Sequence, residues 1–500
     1  MNPKLTFLTL CALSVSALNV LAQNLVVTSD TTVSGTHYEN NSTTYAALTN
    51  SGTWTFTGSD VTLTGTADSG NGGYGVRNTG GGTVNLIDGV IEANAGGVLQ
   101  SNTSAAVLRN VNITTQSGPG VTMSTSSTAT ISGGTITTNS GGNGVTLTTQ
   151  SGVTLRDVTV NAFNQGVGLS GTSTAELHDV NITAANSHAV ALSTSSTVVM
   201  VGGTIVTTST GAHHGVNAGT QSSVSLENVV IISANGRGIS LTGTSTAVLD
   251  NVNITTNNSE AITAIGIAIN TGTLTARDVT LTTSGSNSAG MTIVRASFYG
   301  EDLTINTTGA MARGFRFEVG STGTINGLQI TTQGDYAHGF TVNGDNIDTL
   351  TVLHINDAQV QTSGYSAHGV TIGGDLESEL YMENSTITAS GEGSNGIYFS
   401  TTGTSVETVT LTNVTVTAQN SGISVGTSKI TDTPSNYENL IDRTGTYAVL
   451  LHSSTISGGA HLININTVLS GTNEAGEIVL VDNPVALTTA AENSTLIGDT

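Results

Sequence analysis

Short runs in which apolar residues alternate with Thr, Ser or Asn recur along the chain, each closing on Ile, Val or Leu. Aligned on one landmark strand, the copies read Asn110-Val111-Asn112-Ile113, Asp157-Val158-Thr159-Val160, Asp179-Val180-Asn181-Ile182, Asn228-Val229-Val230-Ile231, Asn251-Val252-Asn253-Ile254 and Asp278-Val279-Thr280-Leu281. They continue with Asp302-Leu303-Thr304-Ile305, Gly327-Leu328-Gln329-Ile330 and Asn413-Val414-Thr415-Val416, and less regular copies close on Ile136, Ile205, Val360 and Ile387. Successive closing residues lie 22 to 30 residues apart. Self-similarity at that period marks a solenoid.

Each unit carries two more short strands. One follows a glycine, as in Gly144-Val145-Thr146-Leu147, Gly238-Ile239-Ser240-Leu241, Gly314-Phe315-Arg316-Phe317 and Gly369-Val370-Thr371-Ile372. The other precedes the landmark, as in Val153-Thr154-Leu155, Val224-Ser225-Leu226 and Val409-Thr410-Leu411. The period of two predicts strands with one buried and one wet face, and no 3.6-residue stripe competes with it. Three short strands per repeat fit one turn of an all-β parallel β-helix, whose coils pair about 4.8 Å apart. An antiparallel sandwich would need Asn-Gly or Asp-Gly hairpins at every second strand. They do not recur at that rhythm.

The residue ahead of the landmark strand is usually Asn, Asp or Gly, the types that tolerate a left-handed backbone. Asp157, Asp179, Asp278 and Asp302 are therefore read as corner residues. The repeats run over residues 53–428, and residues 23–52 begin or cap the helix. Residues 429–451, with Pro434 and a charged cluster, are expected to protrude as a loop, and 452–500 to resume the coils and stop without a cap, as in a truncated chain. Residues 1–22 read as a signal peptide: Lys4, an apolar run from Leu5 to Val20, and a small-residue cleavage site after Ala22.

Composition narrows the function. Only 11 residues are Lys or Arg against 34 Asp or Glu, for a net charge of −23. No basic patch exists to neutralise phosphates, so nucleic acid is excluded as a partner. The single cysteine, Cys11, lies inside the signal segment, behind a poor lipobox. The remainder relies on its core and ladders rather than on disulfides.

Candidate chemistry is sparse. His188, His214, His338 and His368 share a repeat position just before the post-glycine strand, and stacked imidazoles suggest a metal site. The same column holds Arg237, Ile265, Ala289, Arg313 and Asn395, so it reads as a variable turn, with no metal ligands, no cofactor site and no catalytic residues assigned. A polysaccharide lyase or hydrolase needs converging carboxylates or an acid and a base. Asp157 and Asp179 align, but Gly203 and Asn228 follow them in the column.

The signal segment, the cysteine-free Gly/Ser/Thr/Asn-rich repeats, and the Ala337-His338-Gly339 and Ala367-His368-Gly369 turns together resemble the passenger domain of a Gram-negative autotransporter of the pertactin-like class. The resemblance implies a right-handed β-helix that is not an enzyme. It would be exported through the inner membrane and carried to the cell surface or beyond by an outer-membrane β-barrel, which this chain lacks. It implies an adhesin, a virulence-associated binding rod meeting host-surface or neighbouring-cell molecules, glycans among them. Two other readings stand beside it: a polysaccharide-active β-helix enzyme, and a passive surface stalk.

Overall fold

The computed structural model describes residues 25–40, 46–67, 73–257, 267–344, 350–374, 377–401, 406–427, 446–465, 468–472, 478–482 and 486–497. The signal segment, the whole charged stretch 429–445 and residues 345–349 and 375–376 lie outside them. The fold is an all-β, right-handed parallel β-helix of short strands. It divides into two compact units, Met1–Ser233 and Ala234–Thr500.

In the first unit one coil runs through Ala105–Arg109, Asn112–Thr115 and Val121–Met123. The next runs through Thr128–Ser132, Thr135–Thr138 and Val145–Leu147. Every strand pairs in parallel with its counterpart one coil on. Ile113 thus lies over Ile136, Ile136 over Val160, Val160 over Ile182, and Ile182 over Ile205. All of these side chains are fully buried, so each coil completes the core of its neighbour. The second unit repeats the arrangement: Leu281 lies over Ile305, Ile305 over Ile330, Ile330 over Val360 and Val360 over Ile387. Its interior is bulkier, with Phe298, Phe315 and Phe317 rings about one contact apart at 5.9 and 5.8 Å.

The three strands of a coil fall into two sheets rather than three. The first two belong to one sheet, bent at one or two residues with positive φ; the third, three to seven residues long, forms the second sheet. Asp157, Asp179, Asp278 and Asp302 occupy the bend at φ of 56, 53, 50 and 52°. The bend does not interrupt pairing, because the corner N–H still reaches the next coil, as from Asp157 to the His178 carbonyl at 2.9 Å. In Thr174–Ala184, Thr197–Thr207 and Ser297–Thr307 the two strands are continuous through it. The glycine in register with Asp157 and Asp179 is Gly202, at φ 73°, one residue before the Gly203 expected from sequence.

A second corner is held by buried serines. Ser151, Ser173, Ser196 and Ser222 each donate a hydroxyl to the carbonyl three residues back, at 2.5–2.7 Å. These bonds satisfy both groups where the serine is buried under the turn.

Leu25–Val27, Thr31–Ser34 and His37–Asn40 already pair in parallel with the following coil. The C-terminal region departs from expectation. Thr446–His452 falls in the stretch expected to protrude, yet it is a ladder strand lying over Val406–Thr412. Val468–Thr472 and Ile478–Asp482 form an antiparallel hairpin, a local interruption of the parallel scheme.

Candidate functional site

The outward face of the three-residue strands carries the most chemistry. Between alternating buried residues, each strand turns one side chain outward. In the first unit this column runs Thr122, Thr146, Gly168, Ala191, Asn217. Gly168 and Ala191 interrupt the bulk and open a cleft of about 380 Å³. Gln165, His188, Thr146, Ser170, Ser193 and Asn217 line it. No carboxylate or guanidinium stands in that lining. Ala191 is only half-buried, so the cleft is open to solvent along the face.

Gln165 and His188 come from the turn that leads into each of these strands. The turn column is Asn143, Gln165, His188, His214, and its side chains act on the next coil. Asn143 Oδ1 accepts the Gln165 backbone N–H at 3.2 Å. His188 Nδ1 accepts the His214 backbone N–H at 2.8 Å. The second unit does the same through His338 to His368 and His368 to Asn395, each at 3.0 Å, and through Asn395 Oδ1 to Ser421 at 3.2 Å. Asn and His are interchangeable here because each offers an acceptor at similar reach from the backbone.

These bonds settle the protonation pattern. A backbone N–H can only donate, so Nδ1 of His188, His338 and His368 carries no proton and the neutral ring carries it on Nε2. Burial, and then His213, hold the His188 imidazole down at about 4. Burial holds His368 at about 4, and His338 well below its usual range, the latter helped by His368 and Arg313. At neutral pH all three are uncharged donors through Nε2. The rings also stack: His338 on His368 at 4.8 Å and 4°, and His188 against His214 at 4.9 Å and against His213 edge-on at 5.2 Å.

The histidine column singled out from sequence is thus a hydrogen-bonded ladder, not a permissive surface turn. Its Nδ1 lone pairs are occupied, and among the described residues no group of three or more His, Cys, Asp or Glu surrounds a common point. Ile265 lies outside the described residues. Asp157 and Asp179 are exposed at the bend of the other sheet and are not brought into the cleft. Gln165, Gly168, Ala191 and Asn217 were missed. The available signal was the pair of small residues at outward positions of successive post-glycine strands.

In the second unit the turn column passes through Arg313, His338, His368 and Asn395, and the outward column through Thr292, Arg316, Thr341, Thr371 and Tyr398. Arg316 binds Glu318, with 2.8 and 2.7 Å from Nε and one Nη to a single carboxylate oxygen. Tyr398 packs on His368 at 4.4 Å. A separate hollow of about 150 Å³ sits at the bend of the other sheet, between Asp302 and Asp357 and over Gly327.

The family description "right handed beta helix region" matches residues 75–214, a span that contains most of the cleft. No curated protein matches. Among solved structures the chain is similar to the periplasmic alginate epimerase AlgG, at 9% identity over 83% of this chain and 78% of that one, with a TM-score of 0.26. Two substituted forms of that enzyme give TM-scores of 0.23 and 0.26 at the same identity, covering 83% and 81% of this chain and 78% of theirs. A likeness of that size identifies no residue chemistry. What these structures are named for, a periplasmic alginate epimerase, is not the outer-membrane passenger that the sequence suggested. On that finding the autotransporter reading is withdrawn, together with the β-barrel partner, the host- or neighbouring-cell partners, the cell-surface location, the adhesin role and the exclusion of enzyme activity.

Proposed function

We propose that this chain is a polysaccharide-active β-helix protein that seats a saccharide in the cleft floored by Gly168 and Ala191. The carrying observation is the lining: carboxamides, hydroxyls and a neutral imidazole, with no charged side chain, around a volume of about 380 Å³. Sugar hydroxyls are neutral and both donate and accept. Gln165 and Asn217 can do both, and His188 donates through Nε2. The polar groups repeat at the coil spacing of about 4.8 Å, so a polymer of hydroxylated units can be held at several rungs at once.

The test is a panel of soluble polysaccharides offered to the folded full chain, read by saturable binding, because the lining carries hydrogen-bonding groups but no acid–base pair. Binding of one class, lost in Ala191→Tyr, is expected. The tyrosine fills the cleft from an outward position without entering the core. No binding across the panel, or binding that survives Ala191→Tyr, would remove the reading. Asp157→Asn and Asp179→Asn are expected to leave binding unchanged, because neither carboxylate reaches the cleft.

A further inference from the structure

We infer that Arg313, in the second unit, marks a binding site for the carboxylate of an acidic saccharide, an assignment that rests on the polysaccharide reading for the carrier of the carboxylate but not for the carboxylate itself. Cations are scarce in this chain, 11 in 500 residues, yet Arg313 and Arg316 stand three residues apart in one coil, the first in the turn and the second on the strand that follows. Glu318 neutralises Arg316 through the two short contacts described above. That leaves Arg313 as a partly buried charge whose guanidinium is disfavoured by burial and by Arg316, with Glu318 giving only partial compensation. A buried cation without an equal counter-charge is costly, and an incoming anion relieves that cost.

The surroundings supply the rest of a ligand shell. Among the described residues, Arg313 Nε and the hydroxyls of Thr292, Thr341 and Thr371 are buried without a hydrogen-bond partner. Thr292, Arg316, Thr341 and Thr371 are consecutive in register on the outward column, one per coil. Buried polar atoms normally find partners, so the unpaired Arg313 Nε in the turn column and three unpaired hydroxyls in the neighbouring outward column point to an absent one. A guanidinium recognises a carboxylate bidentately, and hydroxyls one coil before (Thr292), one coil after (Thr341) and two coils after (Thr371) suit the hydroxyls of the same and adjoining sugar units. His338, next in the turn column, contributes a neutral ring and no competing charge.

The experiment compares an acidic oligosaccharide (an oligouronate) with the same oligomer after its carboxylates are reduced to alcohols, by calorimetric titration of the full chain. The acidic form is expected to bind at least about tenfold more tightly. Arg313→Gln is expected to erase that difference while leaving the thermal midpoint equal or higher. Arg313→Lys keeps the charge but not the fork, and is expected to keep part of the preference. Equal affinity for the two oligomers, or a preference that survives Arg313→Gln, overturns the inference while leaving the polysaccharide reading intact. Failure of both oligomers and of every neutral glycan overturns the polysaccharide reading instead. Acetate or inorganic phosphate binding as tightly as the oligouronate, and competing with it, overturns the assignment to a saccharide.

Discussion

Asn and His share one job in the turns that lead into several of the short strands: a side-chain acceptor ties down the N–H of the equivalent residue one coil later. His368→Asn should therefore fold as the parent does, since Asn395 already fills the same role in the next coil. His368→Ala should cost about 1–3 kcal/mol, because the Asn395 N–H is left buried and unpaired. The two differ in pH response as well. His368 titrates at about 4 in the folded chain against 6.5 ordinarily, so the unfolded chain takes up more protons between those values. Stability contributed by the neutral ring is full above about 6.5 and is lost as pH falls toward 4, by up to about 3 kcal/mol. Urea midpoints measured from pH 7 to 4 should fall in the parent and fall less steeply in His368→Asn, where His188 and His338 still titrate low. The position of these residues could be read from the repeat, but their role could not. Aligned by residue identity, a column holding Arg, Ala, Ile and His looks unconstrained; what its Asn and His members share is one acceptor atom whose partner lies a coil away.

The bend between the first two strands of a coil needs a left-handed residue, and Asp157 holds φ at 56° there while Gly202 fills the same place at 73°. Asp157→Gly should change stability by less than about 1 kcal/mol, whereas Asp157→Val should cost about 1–3 kcal/mol from backbone strain; thermal midpoints of the two variants separate these outcomes. Glycines are stricter in the turn ahead of the histidines. A Cβ on Gly334 would collide with the Gly309 carbonyl, and one on Gly364 with that of Gly334. Backbone cannot yield as a flexible side chain can, so Gly334→Ala should cost at least about 2 kcal/mol in the same measurement. The period-two alternation made inward and outward faces legible from sequence, and the Asn/Asp/Gly positions made the corners legible. The joining of two strands into one bent sheet was not legible, because it depends on the corner N–H pairing with the next coil, which no residue type reports. The cleft was hidden for a related reason. Gly168 and Ala191 are unremarkable as residues and become a floor only when stacked between Thr146 and Asn217.

For the molecule as a whole, the repeat established a parallel β-helix but could not establish a trafficking class. Gly-Val-x-Leu strands, Asn-Val-x-Ile strands and Ala-His-Gly turns do the same packing and turning in coil after coil here. Their likeness to autotransporter passengers therefore reported coil geometry rather than shared function. Function has to be argued from the face where the coils leave a gap. Occupancy of that gap should be indifferent to pH from 8 down to about 5 and fail as His188 is protonated near 4, since a proton on Nδ1 would confront the His214 N–H. The most direct test of the central claim is a calorimetric titration of the folded full chain, and of Ala191→Tyr, with the polysaccharide that scores highest in the panel. Saturable binding by the parent, abolished in a variant with an unchanged thermal midpoint, is the predicted result; equal binding by the two proteins, or none by the parent, would contradict the account.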